Sequence, residues 1–268
     1  MSKTGAALIA LLTLGIASAT LADEKSTLDT IVERGTMRVG VGSFVPWSFR
    51  SKEGKYIGFE VDVATKLAED MGVKLELVPT AWDGIIPALL AGKFDVIIGG
   101  MTVTPKRNLK INFTDSYHTE LGQDVVANRA KVPADATRES LNSPKYTIGV
   151  RRGSTAVDAA KKHFPLATLR QYDDEAVIRQ EVLAGNVDMW VTSAPKPAFL
   201  AADEPDATFL PLKEKLSQSY VGFGLRKGDF DTMNFFNNWI AINKEEGFLQ
   251  ERAKYWFGSR AWKDQVAE

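Results

Sequence analysis

The chain contains no cysteine and only two histidines, His118 and His163. The lack of thiols excludes disulfides, thiolate chemistry, cysteine-based zinc sites and lipid attachment at an N-terminal cysteine. No metal-ligand spacing is present, so neither a metal nor another cofactor is expected. Charge of neither sign dominates: 33 Lys and Arg stand against 34 Asp and Glu, a formal charge of -1. No basic block occurs, which argues against nucleic acid as a partner. Long apolar runs are missing except at the start, where Lys3 precedes Ala6 to Ile16 and small residues to Ala22. That run is too short to span a membrane and reads as a secretory signal peptide over residues 1–22, cleaved near Ala22 or after Ala19. An exported chain without disulfides must be stable through its core alone. The 246 residues left when 22 are removed from 268 suffice for one large domain or two of ordinary size.

What is present is organised around Leu90 to Arg107. Phe94 to Ile98 is apolar, rich in β-branched residues and bounded by glycines, the pattern of a strand buried on both faces. Gly99, Gly100, Met101 and Thr102 fall just past its carboxyl end, where open α/β sheets bind ligands. Thr104-Pro105 reads as an N-cap followed by proline in the first helical turn, which places Arg107 one turn in. The glycines allow close approach, Thr102 offers a hydroxyl, and Arg107 offers a planar fork for a carboxylate. Equally, the stretch reads as a glycine turn, a capped helix and a solvated arginine.

Strands are expected at Met37–Val41, Lys74–Val78, Asp124–Asn128, Tyr146–Val150, Thr168–Tyr172, Val187–Thr192 and Tyr220–Leu225. Helices alternate with them, with Asp173 expected to cap the one reaching Ala184, and two amphipathic helices finish the chain. Two echoes point to a pair of similar α/β units facing across a cleft. Leu90-Ala-Gly-Lys-Phe-Asp95 resembles Leu183-Ala-Gly-Asn-Val-Asp188, and Val39-Gly40-Val41 resembles Ile148-Gly149-Val150.

Several segments together resemble one family. They include Met37-Arg-Val-Gly, Gly58-Phe-Glu-Val-Asp-Val-Ala, Trp82-Asp-Gly-Ile-Ile-Pro-Ala-Leu, Met101-Thr-Val-Thr-Pro-Lys-Arg, Gly149-Val-Arg-Arg-Gly-Ser-Thr and Lys254-Tyr-Trp-Phe-Gly. In order and spacing they resemble the periplasmic solute-binding proteins of polar amino-acid ABC importers. The resemblance implies an α/β, two-lobed periplasmic-binding-protein fold of type II with two hinge strands. Lobe 1 would take residues 23–118 with 219–268, lobe 2 residues 123–213, and the hinges 119–122 and 214–218. It implies a monomeric periplasmic protein, not an enzyme, which captures a small ligand by lobe closure and delivers it to the membrane permease of an ABC importer.

The family's site carries over residue by residue. The aromatic clamp becomes Phe44, next to Trp47, and Trp82. The small polar residues after the strand become Gly99, Gly100 and Thr102, and the carboxylate anchor becomes Arg107. The second lobe contributes Arg151, Ser154, Thr155 and Ser193. Two departures bear on selectivity. The family Asp that holds the ligand's ammonium group is Ser193 here, and the loop where cation-selective members carry an Asp has Gly42 and Ser43. Arg151, Arg152 and Lys196 are additional cations near the expected cleft. A neutral or acidic amino acid, or a related small carboxylate, is therefore expected over a cationic one, unless Glu120, Asp124 or Asp173 reaches the cleft. The alternative is an enzyme on the same scaffold, since related cyclohexadienyl dehydratases share the fold. Their acidic proton donor is matched here by Lys196, and arogenate or prephenate would separate enzyme from binder.

Overall fold

A computed structural model describes residues 25–267; the expected signal peptide at 1–22 lies outside the described residues. Two five-stranded sheets form the frame. The first runs Lys74–Pro79, Thr36–Val41, Val96–Ile97, Gly224–Leu225, Asn112–Phe113. Its first three strands are parallel, and Gly224–Leu225 is antiparallel to both neighbours. The second runs Thr168–Tyr172, Thr147–Arg151, Met189–Ser193, Gln123–Asn128, Thr208–Phe209. Again three parallel strands precede an antiparallel fourth. Gln123–Asn128 thus belongs inside the second sheet.

Each sheet is covered by helices on both faces, which is why its central strands are apolar without alternation. Separate cores result. Phe59, Leu67, Phe223 and Phe236 pack on one face of the first sheet, with Trp256 and Trp262 from the chain's end. Ile85, Leu89, Phe94 and Ile111 pack on its other face. Val125, Ile148, Phe164 and Met189 form one core of the second sheet, and Ile178, Val182 and Trp190 the other.

The two sequence echoes have physical causes. Gly40 and Gly149 hold equivalent central-strand positions where a Cβ would lie 2.4 Å from the Phe94 ring or 2.6 Å from Ile178. Asp95 and Asp188 follow positive-φ helix-ending glycines, Gly92 and Gly185. Each aspartate accepts a backbone N–H at the start of the neighbouring strand, from Arg38 at 2.8 Å and from Thr147 at 2.7 Å. A glycine-ended helix followed by an aspartate pin is the same device used once in each unit.

The sheets are joined by an antiparallel ribbon in which His118–Leu121 pairs with Ser219–Val221. Just beyond it the second sheet begins, and the chain is very tight. Ala194 N–H donates to Gly122 O at 2.8 Å, Leu216 N–H to Gln123 O at 2.8 Å, and Gln123 N–H to Ser217 Oγ at 3.1 Å.

Candidate functional site

The carboxyl ends of the central strands of both sheets point at one cleft. From the first sheet, Gly99-Gly100 leaves Val96–Ile97 and leads to Thr102 and the helix Pro105–Asn108. Thr104 caps that helix by accepting from Arg107 N–H at 3.2 Å, as its sequence implies. The cap fixes the direction of the Arg107 side chain. One of its terminal nitrogens donates to Thr102 O at 2.8 Å, and the other donates to Gly153 O at 3.1 Å, on the opposite unit.

From the second sheet, Thr147–Arg151 ends in Arg151, followed by a turn and the helix Thr155–His163. Ser154, Thr155 and Ala156 line the cavity, so this helix presents its N-terminal backbone donors to it. Arg151 crosses the cleft into the aromatic pair of the first unit. Its guanidinium carbon lies 5.0 Å from the Phe44 ring centre and 4.6 Å from that of Trp82. Lys196 Nζ sits 4.4 Å from the same Phe44 ring and is ion-paired with Glu175.

Nine of the eleven expected positions meet around this cavity: Phe44, Trp82, Gly100, Thr102 and Arg107 on one side, Arg151, Ser154, Thr155 and Ser193 on the other. Trp47 does not. It is 1% exposed and packed in the first core, stacked at 4.2 Å behind Phe44 and against Phe257. The reason is Gly100, whose backbone at φ 65° leaves room for the Trp47 ring; a Cβ there would lie 2.5 Å from it. Trp47 backs the clamp instead of forming it. Gly99 is not in the lining either and lies beneath the Trp82 ring. Arg152 points away, ion-paired at 2.7 Å with Asp173 and about half exposed. The cap of the following helix is accordingly Asp174, which accepts from Ala176 N–H at 2.9 Å.

Residues 37–259 match the family of bacterial extracellular solute-binding proteins, family 3. The chain belongs to that family. It is 31% identical over 249 residues to the L-cystine-binding protein TcyJ of Escherichia coli K12, covering 92% of each chain. It is 28% identical over 246 residues to the cyclohexadienyl dehydratase of Pseudomonas aeruginosa, covering 91% of each. Among solved structures it resembles the ancestral amino acid-binding protein AncCDT-1, a precursor of cyclohexadienyl dehydratase, with 40% identity and a TM-score of 0.78 over 87% of this chain and all of that one. The same ancestral protein is also described as a cationic amino acid solute-binding protein. The two-lobed type II fold implied by the sequence resemblance is the fold of this solute-binding protein.

Sequence reasoning missed four lining residues of the binding protein: Gln123, Ala156, Glu175 and Thr192. Glu175 was hidden in the run Asp173-Asp174-Glu175, which reads as helix-capping chemistry. It is buried, accepts from Thr192 Oγ1 at 3.1 Å and holds Lys196. Gln123 is also buried; its amide donates to Thr155 Oγ1 and Ser193 Oγ, both at 3.1 Å, while its Oε1 has no hydrogen-bond partner. A buried acceptor without a donor is costly, which suits it to a donor arriving with a ligand.

Burial shapes the charges. It pushes the Arg107 guanidinium down to about 10, with Asp158 opposing and Arg151 adding to the shift. Arg151 is lowered by burial and partly sustained by Glu175, Asp174 and Asp83. Lys196 is lowered by burial too, and Glu175 opposes that. The space left among these side chains is about 20 Å³, room for about one water molecule. An amino acid enters this cleft only when the lobes part or Arg151 and Lys196 move.

Beneath Gly100 lies a second buried acid. Glu60 accepts from the Tyr117 hydroxyl at 2.7 Å, and that hydroxyl accepts from Gly100 N–H at 3.3 Å. Burial raises the Glu60 carboxyl from 4.5 to about 8, against the lowering effect of its hydrogen bonds. Between those values the native state keeps a proton that the unfolded state has lost, so stability falls as pH rises from about 5 to 8. Glu60→Gln keeps the group neutral and should flatten that fall. Urea unfolding at several pH values checks it; an unchanged pH slope in the variant would refute the assignment.

Proposed function

We propose that this binding protein captures a small amino acid or related carboxylate between its lobes and hands it to the membrane permease of an ABC importer. One observation carries the reading. Arg107, fixed by a capped helix, faces the open N-terminus of Thr155–His163 across the cleft, and the two make a carboxylate cradle from both lobes. Phe44 and Trp82 supply the apolar walls. Charge supports a neutral or acidic ligand over a cationic one. Glu175 is the one carboxylate lining the cavity among the described residues, and Lys196 already holds it. Asp124 and Asp173 do not line the cavity, and the Glu120 side chain lies outside the described residues. A thermal-shift screen of amino acids and small dicarboxylates tests the reading. A ligand at 100 times its dissociation constant adds about 2.7 kcal/mol to native stability. No shift with any of them would overturn it.

Lobe closure belongs to the same proposal, with residues 23–118 and 219–268 moving against 123–213 about 119–122 and 214–218. The ribbon joining the sheets, with a core on either side of it, supports it. The packing of Phe199 on the first core and the Asp203 ion pairs with Arg260 and Lys263 are contacts between the units that opening must break. Small-angle scattering should give a monomer whose radius of gyration falls on adding ligand; an unchanged radius at saturation would count against closure. Export fits the reading, and mass spectrometry of the exported protein should show an N-terminus near Asp23.

A cyclohexadienyl dehydratase is the second reading, favoured by a carboxylate on the cavity wall. Glu175, however, is ion-paired with Lys196 and accepts from Thr192, the arrangement of a charged carboxylate and not of a proton donor. Incubation with prephenate or arogenate should leave both unchanged.

A further inference from the structure

We propose that Arg151 forms a second carboxylate subsite, so that the ligand held in the cleft carries two carboxylates; this rests on the reading of the cleft as a small-carboxylate site. The Arg151 side chain is 4% exposed and lines the cavity. Among the described residues its guanidinium has no hydrogen bond and no ion pair. Phe44 and Trp82 stabilise its charge through their ring faces but satisfy none of its five N–H donors. A fork of donors that opens on the cavity and has no acceptor in the protein is matched by an incoming carboxylate, which it can bind with two parallel hydrogen bonds.

The charges of the cleft lead to the same ligand class. Two guanidiniums and one carboxylate line the cavity. The carboxylate, Glu175, is balanced by Lys196. Arg107 bonds only to the carbonyls of Thr102 and Gly153, which carry no charge. Glu175, Asp174 and Asp83 act on Arg151, and Asp158 on Arg107, only through space, with no ion pair to either guanidinium among the described residues. Two positive charges therefore remain in the cleft, carried by side chains from the two lobes and both set against the Trp82 ring. A ligand with one carboxylate answers one of them and leaves the other desolvated, which is costly. A ligand with two answers both and draws the lobes together, because Arg107 and Arg151 come from different lobes. The unpartnered Gln123 Oε1 beside Ser193 accepts from an amino group, where the ligand has one. Acidic amino acids have this pattern.

Matched ligands test this without changing the protein. Titration calorimetry on the wild type compares glutamate with glutamine and aspartate with asparagine, pairs that differ in one carboxylate. The dicarboxylate of at least one pair should bind at least tenfold tighter. In Arg151→Met, whose folding is checked by its ligand-free melting temperature, that ratio should fall to near one; Arg151→Lys, which keeps charge without the fork, should lie between. Glutamine and asparagine binding as tightly as their acids would overturn the subsite and leave the carboxylate-binder reading standing. So would a ratio unchanged in folded Arg151→Met. Binding by no amino acid or dicarboxylate would remove that reading, and this inference with it.

Discussion

Gly122→Ala is expected to cost about 3 kcal/mol of stability, near the upper end for forcing one extra carbon into a packed site. Gly122 stands where the chain passes from the joining ribbon into the second sheet. A Cβ there would lie 1.9 Å from the carbonyl oxygen of Ser217 and 3.0 Å from its carbon. These are backbone atoms and cannot rotate away. The two segments would have to separate, stretching the bonds from Leu216 N–H to Gln123 O and from Gln123 N–H to Ser217 Oγ. Gly84→Ala is the control, because nothing lies within 4 Å of the added carbon and its φ of -91° suits any residue. Urea unfolding of both variants decides the matter. A Gly122→Ala midpoint equal to that of Gly84→Ala would show that the crossing yields to the added carbon, and would overturn the prediction.

Arg107→Ala is expected to weaken ligand binding by at least tenfold, about 1.4 kcal/mol. The guanidinium joins Thr102 on one lobe to Gly153 on the other, so its loss removes both a charge for the ligand and a clasp between lobes. Arg107→Lys should fail nearly as badly. A single ammonium cannot serve two carbonyls and a bidentate carboxylate together. Calorimetry with the tightest amino acid or dicarboxylate from the thermal-shift screen measures both variants. Equal affinity in wild type and Arg107→Ala would move the carboxylate anchor elsewhere in the cleft.

What could be read from the sequence was local or repeated. The Thr104-Pro105 cap is four residues of chain chemistry, and it places Arg107 without help from elsewhere. The paired echoes are legible because each unit solves the same problem, a close approach at Gly40 or Gly149 and a strand pinned by Asp95 or Asp188. Apolar runs flanked by glycine identified the central strands, because a sheet covered on both faces leaves no polar side to its strands. The sequence by itself thus pointed to two α/β units and the places where their strands end, and the resemblance to the solute-binding family supplied most of the side chains expected there.

The tertiary structure decided which way those side chains point. Phe44 and Trp47 are three residues apart and chemically alike, yet one lines the cavity and the other fills the space above Gly100. Asp173, Asp174 and Glu175 are consecutive acids with three different duties: a surface pair with Arg152, a helix cap, and a buried partner for Lys196. Arg151 and Arg152 likewise diverge, one between two aromatic rings of the opposite lobe and one at the surface. Adjacent residues differ in direction by a backbone rotation that composition does not record. Their partners lie across the cleft, far along the chain, so contact between the lobes sets the charge that a ligand meets.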